Sequence, residues 1–134
     1  MINFIDQHQQ WSVSAYGLDF PPLDRALSIC QHTILQENEL EVKSISSDSR
    51  FAELPAIFKF DVEYYYGVPI RTADGQAIAA LCIFSKTPKT LDKDQKAILQ
   101  LLSRQIIIRM DNMRKIEQLE AQLAQLLTAT QQVV

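Results

Sequence analysis

Cys30 and His32, in Ser28-Ile29-Cys30-Gln31-His32, are the residues of this chain whose types could build a nucleophile, because an imidazole beside a thiol can take its proton and leave a thiolate. Their spacing works against it. On a regular helix, residues two apart point about 200° away from each other, so the side chains do not meet if both are helical. If a helix begins at Ser28, both fall in its first turn, where the positive helix end could lower the thiol pKa without His32. The other cysteine, Cys82, lies in Ala79-Ala80-Leu81-Cys82-Ile83-Phe84, a run apolar on both faces in which a free thiol behaves as a small hydrophobe. With neither a CxxC nor zinc-ligand spacing, the two cysteines predict buried, reduced thiols, not a disulfide or a structural metal site. His8 belongs to a solvated hairpin tip, and His32 is read as a surface histidine or a polar pocket residue. No close group of His, Cys, Asp and Glu points to a metal. No catalytic residue is assigned and no cofactor is named; a thiol enzyme built on Cys30 stays as the lesser alternative.

The elements that must position these groups are marked by turns and periodicity. Residues 2–6 and 11–16 read as a hairpin around 7–10, ended by Gly17 and Pro21-Pro22. Ser28 with Gln31 three residues on is a capping box, which favours a helix over 28–36. Residues 40–45 alternate as a strand, and 46–58 mix turn residues with one short helical turn near 50–53. Asp74-Gly75 joins two β-prone runs and supplies the positive φ angles of a tight hairpin. Between them, Val62, Tyr64, Tyr66, Val68 and Ile70 share one strand face, while Glu63, Tyr65, Gly67, Pro69 and Arg71 share the other. The missing side chain at Gly67 predicts room for something to approach over that second face. Pro88 stops the next strand, and Thr90, Asp92 and Asp94 open a helix over 91–130, about 60 Å long. Its first half, with Ile98, Leu101, Leu102, Gln105, Ile106 and Ile108, has the breadth of a helix lying on a sheet. Its second half narrows to Ile116, Leu119, Leu123 and Leu126 at alternating spacings of three and four, the seam of a dimeric coiled coil.

Gly67-Val68-Pro69-Ile70, a turn, a strand through Leu81 and Cys82, and Leu91 at the start of the last helix together resemble the GAF domain, a small sensory module of signalling proteins. Phe4-Ile5-Asp6 with Gln10-Trp11 resembles the family's early strand and hairpin. Ser28 to His32 resembles the Ser-Phe-Cys-x-His helix start of one bacterial subgroup, and Asp48-x-Arg50-Phe51 with Pro55 fits its next short helix. The resemblance implies an α+β fold: an antiparallel sheet of about five or six strands, short helices on one face and the long C-terminal helix on the other. It also implies a small molecule bound over Tyr65 and Gly67, lined by Trp11, Cys30, His32 and Phe51, with the helix relaying the signal. The usual member has a helix before its first strand and an output domain after its last, and this protein is expected to lack both. A missing covering helix should leave apolar surface exposed on the sheet or over 101–108. Glu63 stands where the subgroup has an arginine, which disfavours an anionic ligand, while Ser85 in place of an aspartate and Ala79 in place of a glycine weigh against carrying over any ligand of the relatives.

Composition bounds the rest. The 134 residues, 47% of them hydrophobic, make one domain with an ample core, expected as a GAF-like body over 1–108 and a helical extension over 109–134. A net charge of −3 without a basic stripe argues against nucleic acid. No apolar run approaches the ~20 residues of a bilayer span, and no signal-peptide pattern opens the chain, so a cytoplasmic location is expected. The leading expectation is therefore a cytoplasmic, non-enzymatic sensory module with an unidentified small-molecule ligand, homodimeric through its last helix. Its rival is a dimerisation or interaction module with a closed pocket, which recruits a second copy or a partner helix.

Overall fold

The computed structural model describes residues 1–17 and 21–133. Its strands are β1 (Ile2–Ile5), β2 (Gln9–Ser14), β3 (Leu23–Asp24), β4 (Leu40–Val42), β5 (Tyr64–Arg71) and β6 (Ala77–Ser85). Among the described residues they form one antiparallel sheet in the order β3-β2-β1-β6-β5-β4. The helices are α1 (Cys30–Thr33), α2 (Pro55–Phe60) and α3 (Lys93–Val133). The expected α+β architecture is the observed one: two cores, one on each face of the sheet.

The alternation of β5 divides them. Tyr64, Tyr66 and Val68 pack with Leu91 and with Leu99 of α3. Tyr65 faces the opposite core with Ile5, Cys30, Phe51, Ala80 and Cys82, under α1 and α2. Val62 belongs to this second core and not to the Tyr64 face, because Asp61 takes a left-handed conformation (φ 53°) and re-aims the chain just before β5. The β5–β6 connection also differs from expectation. Gly75 N–H donates to the Thr72 carbonyl and Thr72 N–H to that of Gln76, each at 2.9 Å, and Gly75 alone has positive φ (88°). The loop thus holds three residues, with the extra one absorbed as a bulge at Ile70/Arg71.

Several boundaries shift for identifiable reasons. The helix expected over 28–36 is only the four residues of α1, because the Ser28 hydroxyl accepts the Cys30 N–H (3.0 Å) and donates to Gln10 of β2 instead of closing a capping box. The strand expected over 40–45 ends at Val42. Beyond it, Ile45 N–H bonds the Glu63 carbonyl (2.8 Å), and Ser44 and Ser46 hydroxyls donate to the Glu63 carboxylate at 2.6 and 2.7 Å. Residues 50–53 form turns only; the helix of this region is α2, started by Pro55, whose missing N–H costs nothing at a first helical position.

α3 starts at Lys93, and Asp92 rather than Thr90 caps it. Asp92 Oδ1 accepts Gln95 N–H (2.8 Å) while Gln95 Oε1 accepts Asp92 N–H (3.0 Å), a reciprocal capping box. The helix lies on the sheet more narrowly than expected: Leu99 and Ser103 are its buried residues, whereas Ile98, Leu101, Leu102 and Ile108 are exposed. Its base is also fastened by polar contacts. Lys96 pairs with Glu41, Gln100 Nε2 donates to the Asn38 carbonyl (3.0 Å), and the Tyr64 hydroxyl donates to Glu41 (3.1 Å). Among the described residues, no helix is long and apolar enough to cross a membrane.

Candidate functional site

Behind Tyr65, four elements bring polar and sulfur atoms into an otherwise apolar core. Cys30, at the start of α1, and Cys82, in β6, place their sulfurs 3.9 Å apart. Asn3 of β1 aims its amide between them, Nδ2 donating to Cys30 Sγ at 3.4 Å and to Cys82 Sγ at 3.5 Å. The Ser12 hydroxyl donates to Asn3 Oδ1 (2.6 Å), which holds the amide nitrogen toward the sulfurs. The Tyr65 hydroxyl donates to Cys30 Sγ (3.4 Å), which leaves the Thr33 hydroxyl, 2.6 Å away, to donate to the Tyr65 oxygen. Asn3, Cys30, Thr33, Tyr65 and Cys82 are buried, and Ser12 is partly so.

The two thiols are not equivalent. Cys30 accepts from the Cys82 thiol, from Tyr65 and from Asn3, and these donors outweigh its burial and pull its thiol down to about 7. Cys82 goes the other way: as the donor to Cys30, and buried, it is pushed well above the ordinary thiol range. Burial first, and then the neighbouring thiols, push the Tyr65 phenol up as well, so it stays a proton donor. A crevice of about 20 Å³, lined by Gln10, Leu27, Ser28, Ile57 and Phe84 among others, reaches Cys30. That is room for about one water-sized molecule.

The six residues expected to line a ligand are only partly together. Cys30, Phe51 and Tyr65 share the core. His32 sits at its edge, its ring edge-on to Phe51 (centroids 5.0 Å apart), with partial burial and then the Arg50 charge lowering its pKa. It does not serve Cys30, whose sulfur is occupied by Asn3, Tyr65 and Cys82. Trp11 is misassigned: its neighbour Gln10 is buried against Ser28, so Trp11 points to the opposite face, where it stacks on Phe4 at 6.1 Å. Gly67 offers no vacant room either. A Cβ there would lie 2.3 Å from the Tyr65 hydroxyl and 2.8 Å from Thr33 Oγ1, so the space is filled by Tyr65 itself. Glu63, whose pKa the Ser44 and then Ser46 hydroxyls lower, faces the 44–47 loop and not this cluster.

Asn3, Thr33 and the pairing of Cys82 with Cys30 escaped the sequence reading. For Asn3 a signal existed, a lone amide in Ile2-Asn3-Phe4-Ile5. For the thiol pair there was none, since 52 positions separate the cysteines.

A second feature lies on α3. Ile116, Leu119, Leu123 and Leu126 are all more than half exposed. Ile98, Leu101, Gln105 and Ile108 anticipate them 18 residues earlier, and 18 residues make five helical turns. One stripe, apolar except at Gln105 and Asn112, therefore runs straight from the body to the far end of the helix, over about 42 Å.

The chain is 28% identical over 116 residues to a cyclic di-GMP phosphodiesterase of Pseudomonas aeruginosa, covering 85% of this chain but only 20% of that protein. It therefore spans about a fifth of that relative's length. A domain of a two-component sensor histidine kinase protein from Sinorhizobium meliloti has a similar structure (TM-score 0.62, 15% identity, 89% of this chain and 82% of that one). So does a type II free methionine-R-sulfoxide reductase from Thermoplasma acidophilum (TM-score 0.61, 14% identity, 79% and 73%). At such identities the two structures speak to the fold alone. The family model for the GAF domain matches residues 1–110, so the chain belongs to the GAF domain family.

Proposed function

We propose that this chain is a regulatory module that acts by pairing α3 with the α3 of a second copy, its Tyr65 face being closed by its own side chains. The apolar stripe from Ile98 to Leu126, broken only by Gln105 and Asn112, carries this reading. In a parallel two-fold pair each residue meets its own counterpart, so apolar levels match automatically and Gln105 meets Gln105. Each Leu or Ile of the stripe, already about half covered, would gain on the order of 1 kcal/mol. Fourteen such residues over two chains set about 14 kcal/mol against an association cost of about 4–15 kcal/mol. Pairing is thus concentration-dependent, the property a switchable module needs. Membership of a family found in a phosphodiesterase and beside kinases supports the signalling role.

The relay to the helix runs through β5. Tyr65 looks into the thiol core while Tyr64 and Tyr66 on either side carry Glu41 and Glu39, which hold Lys96 of α3. A displacement of Tyr65 therefore loads the base of the helix through one strand. A small-molecule sensor is the second reading, favoured by Gly67: with Tyr65 swung away, the absent side chain would leave a recess beside Cys30 and Thr33. Native mass spectrometry of the protein purified without added ligand separates the two. A bare dimer supports the pairing module, a dimer with added mass supports the sensor, and a monomer at tens of micromolar refutes both relays. Leu119→Asp with Leu123→Asp should convert dimer to monomer while leaving the body's melting transition in place.

A further inference from the structure

We infer that Cys30 and Cys82 form a peroxide-reactive dithiol, in which Cys30 is the attacking sulfur, Cys82 the resolving one, and the product an intramolecular disulfide joining α1 to β6. The inference stands apart from helix pairing. It rests on the cluster's geometry. Two sulfurs 3.9 Å apart need to close by only about 2 Å to reach bonding distance. The donors are distributed unequally: Asn3 Nδ2 and the Tyr65 hydroxyl converge on Cys30 Sγ, to which the Cys82 thiol adds a third once Cys30 is a thiolate, whereas Cys82 Sγ receives Asn3 Nδ2 and, while Cys30 keeps its proton, the Cys30 thiol, its own proton then going to the Met1 carbonyl (3.8 Å). A buried sulfur with three donors is built to hold a negative charge, which a small hydrophobe would not require. The crevice of about 20 Å³ that reaches Cys30 admits a molecule of the size of water or hydrogen peroxide and no amino-acid sulfoxide. The titratable groups facing the pair are the Tyr65 phenol from β5 and the Met1 ammonium, 3.1 Å from the Cys82 carbonyl. Neither competes for the role of base.

The chemistry balances with one peroxide. The Cys30 thiolate attacks one peroxide oxygen, the O–O bond breaks, and hydroxide leaves as sulfenic acid forms. The Cys82 sulfur then attacks Cys30 Sγ. An S–S bond replaces the S–O bond, and hydroxide departs with the proton Cys82 gives up, as water. In sum, two thiols and one hydrogen peroxide give one disulfide and two waters, with two electrons passing from sulfur to oxygen. A dithiol reductant reverses the change.

The test starts from reduced wild-type chain treated with one equivalent of hydrogen peroxide at pH 7. The expected product is a monomer-mass species lighter by about 2 Da, with no thiol left to alkylate after denaturation and both restored by dithiothreitol. Cys82→Ser should stop at a sulfenic acid trapped by dimedone, and Cys30→Ser should leave Cys82 unreacted at the same dose. Tyr65→Phe keeps the ring but removes a donor, so oxidation should slow about three- to tenfold at pH 7 and recover near pH 9, a pH profile that loosened packing would not produce. Should the serine variants not fold, the wild-type thiol count and the Tyr65→Phe profile decide alone. Two alkylatable thiols after peroxide, cross-linked dimers in place of the internal bond, or Cys82 reacting as fast in Cys30→Ser as Cys30 does in wild type would each overturn the inference.

Discussion

Gly67→Ala is the sharpest test of how the sensory face is closed. The added Cβ would stand 2.3 Å from the Tyr65 hydroxyl, 2.7 Å from its Cζ and 2.8 Å from Thr33 Oγ1. No real Cβ tolerates such contacts, so the phenol must retreat by about 1 Å or more. It has nowhere to go: Tyr65 is buried, its ring lies edge-on to Phe84 at 5.1 Å, and its hydroxyl is held by Cys30 and Thr33. The backbone cannot yield either, because Gly67 is paired to Leu40 on one side and Cys82 on the other. Overpacking of this kind costs about 1–3 kcal/mol. Disturbed hydrogen bonds at a buried hydroxyl add about 1 kcal/mol or more, while alanine's better strand conformation returns about 0.5–1 kcal/mol. The net is a loss of about 2 kcal/mol, which lowers Tm by about 7 °C. Urea denaturation read by far-UV circular dichroism, with the dimer equilibrium held at one concentration, measures it. Tyr65→Leu removes the ring and should make Gly67→Ala nearly neutral in the double variant, a coupling read directly from the cycle. A loss below about 0.5 kcal/mol for Gly67→Ala alone, or additivity in the cycle, would refute a Tyr65 ring lying across Gly67.

Asp92→Ala removes one half of the capping box that starts α3 and should cost about 1 kcal/mol, with faster amide exchange at Gln95 and Lys96 and none of that change at Leu119 or beyond. Partial burial and the Arg50 charge lower the His32 pKa, so the unfolded chain binds more protons than the folded one below about pH 6.5. Its contribution is complete above that value and is lost as pH falls through the folded pKa. The urea midpoint should therefore drop as pH falls below about 6.5 in wild type, and His32→Gln should flatten that drop.

Local rules carried much of the fold because they act over a few residues. Tyr64 and Tyr66 alternate with Tyr65, so one strand had to face two cores. Gly75 had to make a turn, and the spacing of Ile116, Leu119, Leu123 and Leu126 left an apolar stripe in need of cover. The exposure expected near 101–108 is present at Leu101, Leu102 and Ile108. Where the reading went astray, a longer-range contact had overridden a local preference. Ser28 serves Gln10 across 18 positions instead of capping its own helix, and Glu63 gathers Ser44 and Ser46, which ends β4 early. Family likeness places Trp11 at the site, but strand parity with its neighbour Gln10 turns it to the opposite face.

The division follows from what each level encodes. Periodicity, turn residues and the order of motifs are properties of neighbours along the chain, and they determined the sheet with its helices, the long final helix and the family. Which side chains meet across the sheet is a property of register and packing. Only the folded chain brings Asn3, Cys30 and Cys82 to one point, and only there does Tyr65 turn back over Gly67 to fill the space a ligand would need. A thiol's acidity depends on the donors within about 4 Å of its sulfur, and those around Cys30 come from three strands that no spacing rule connects.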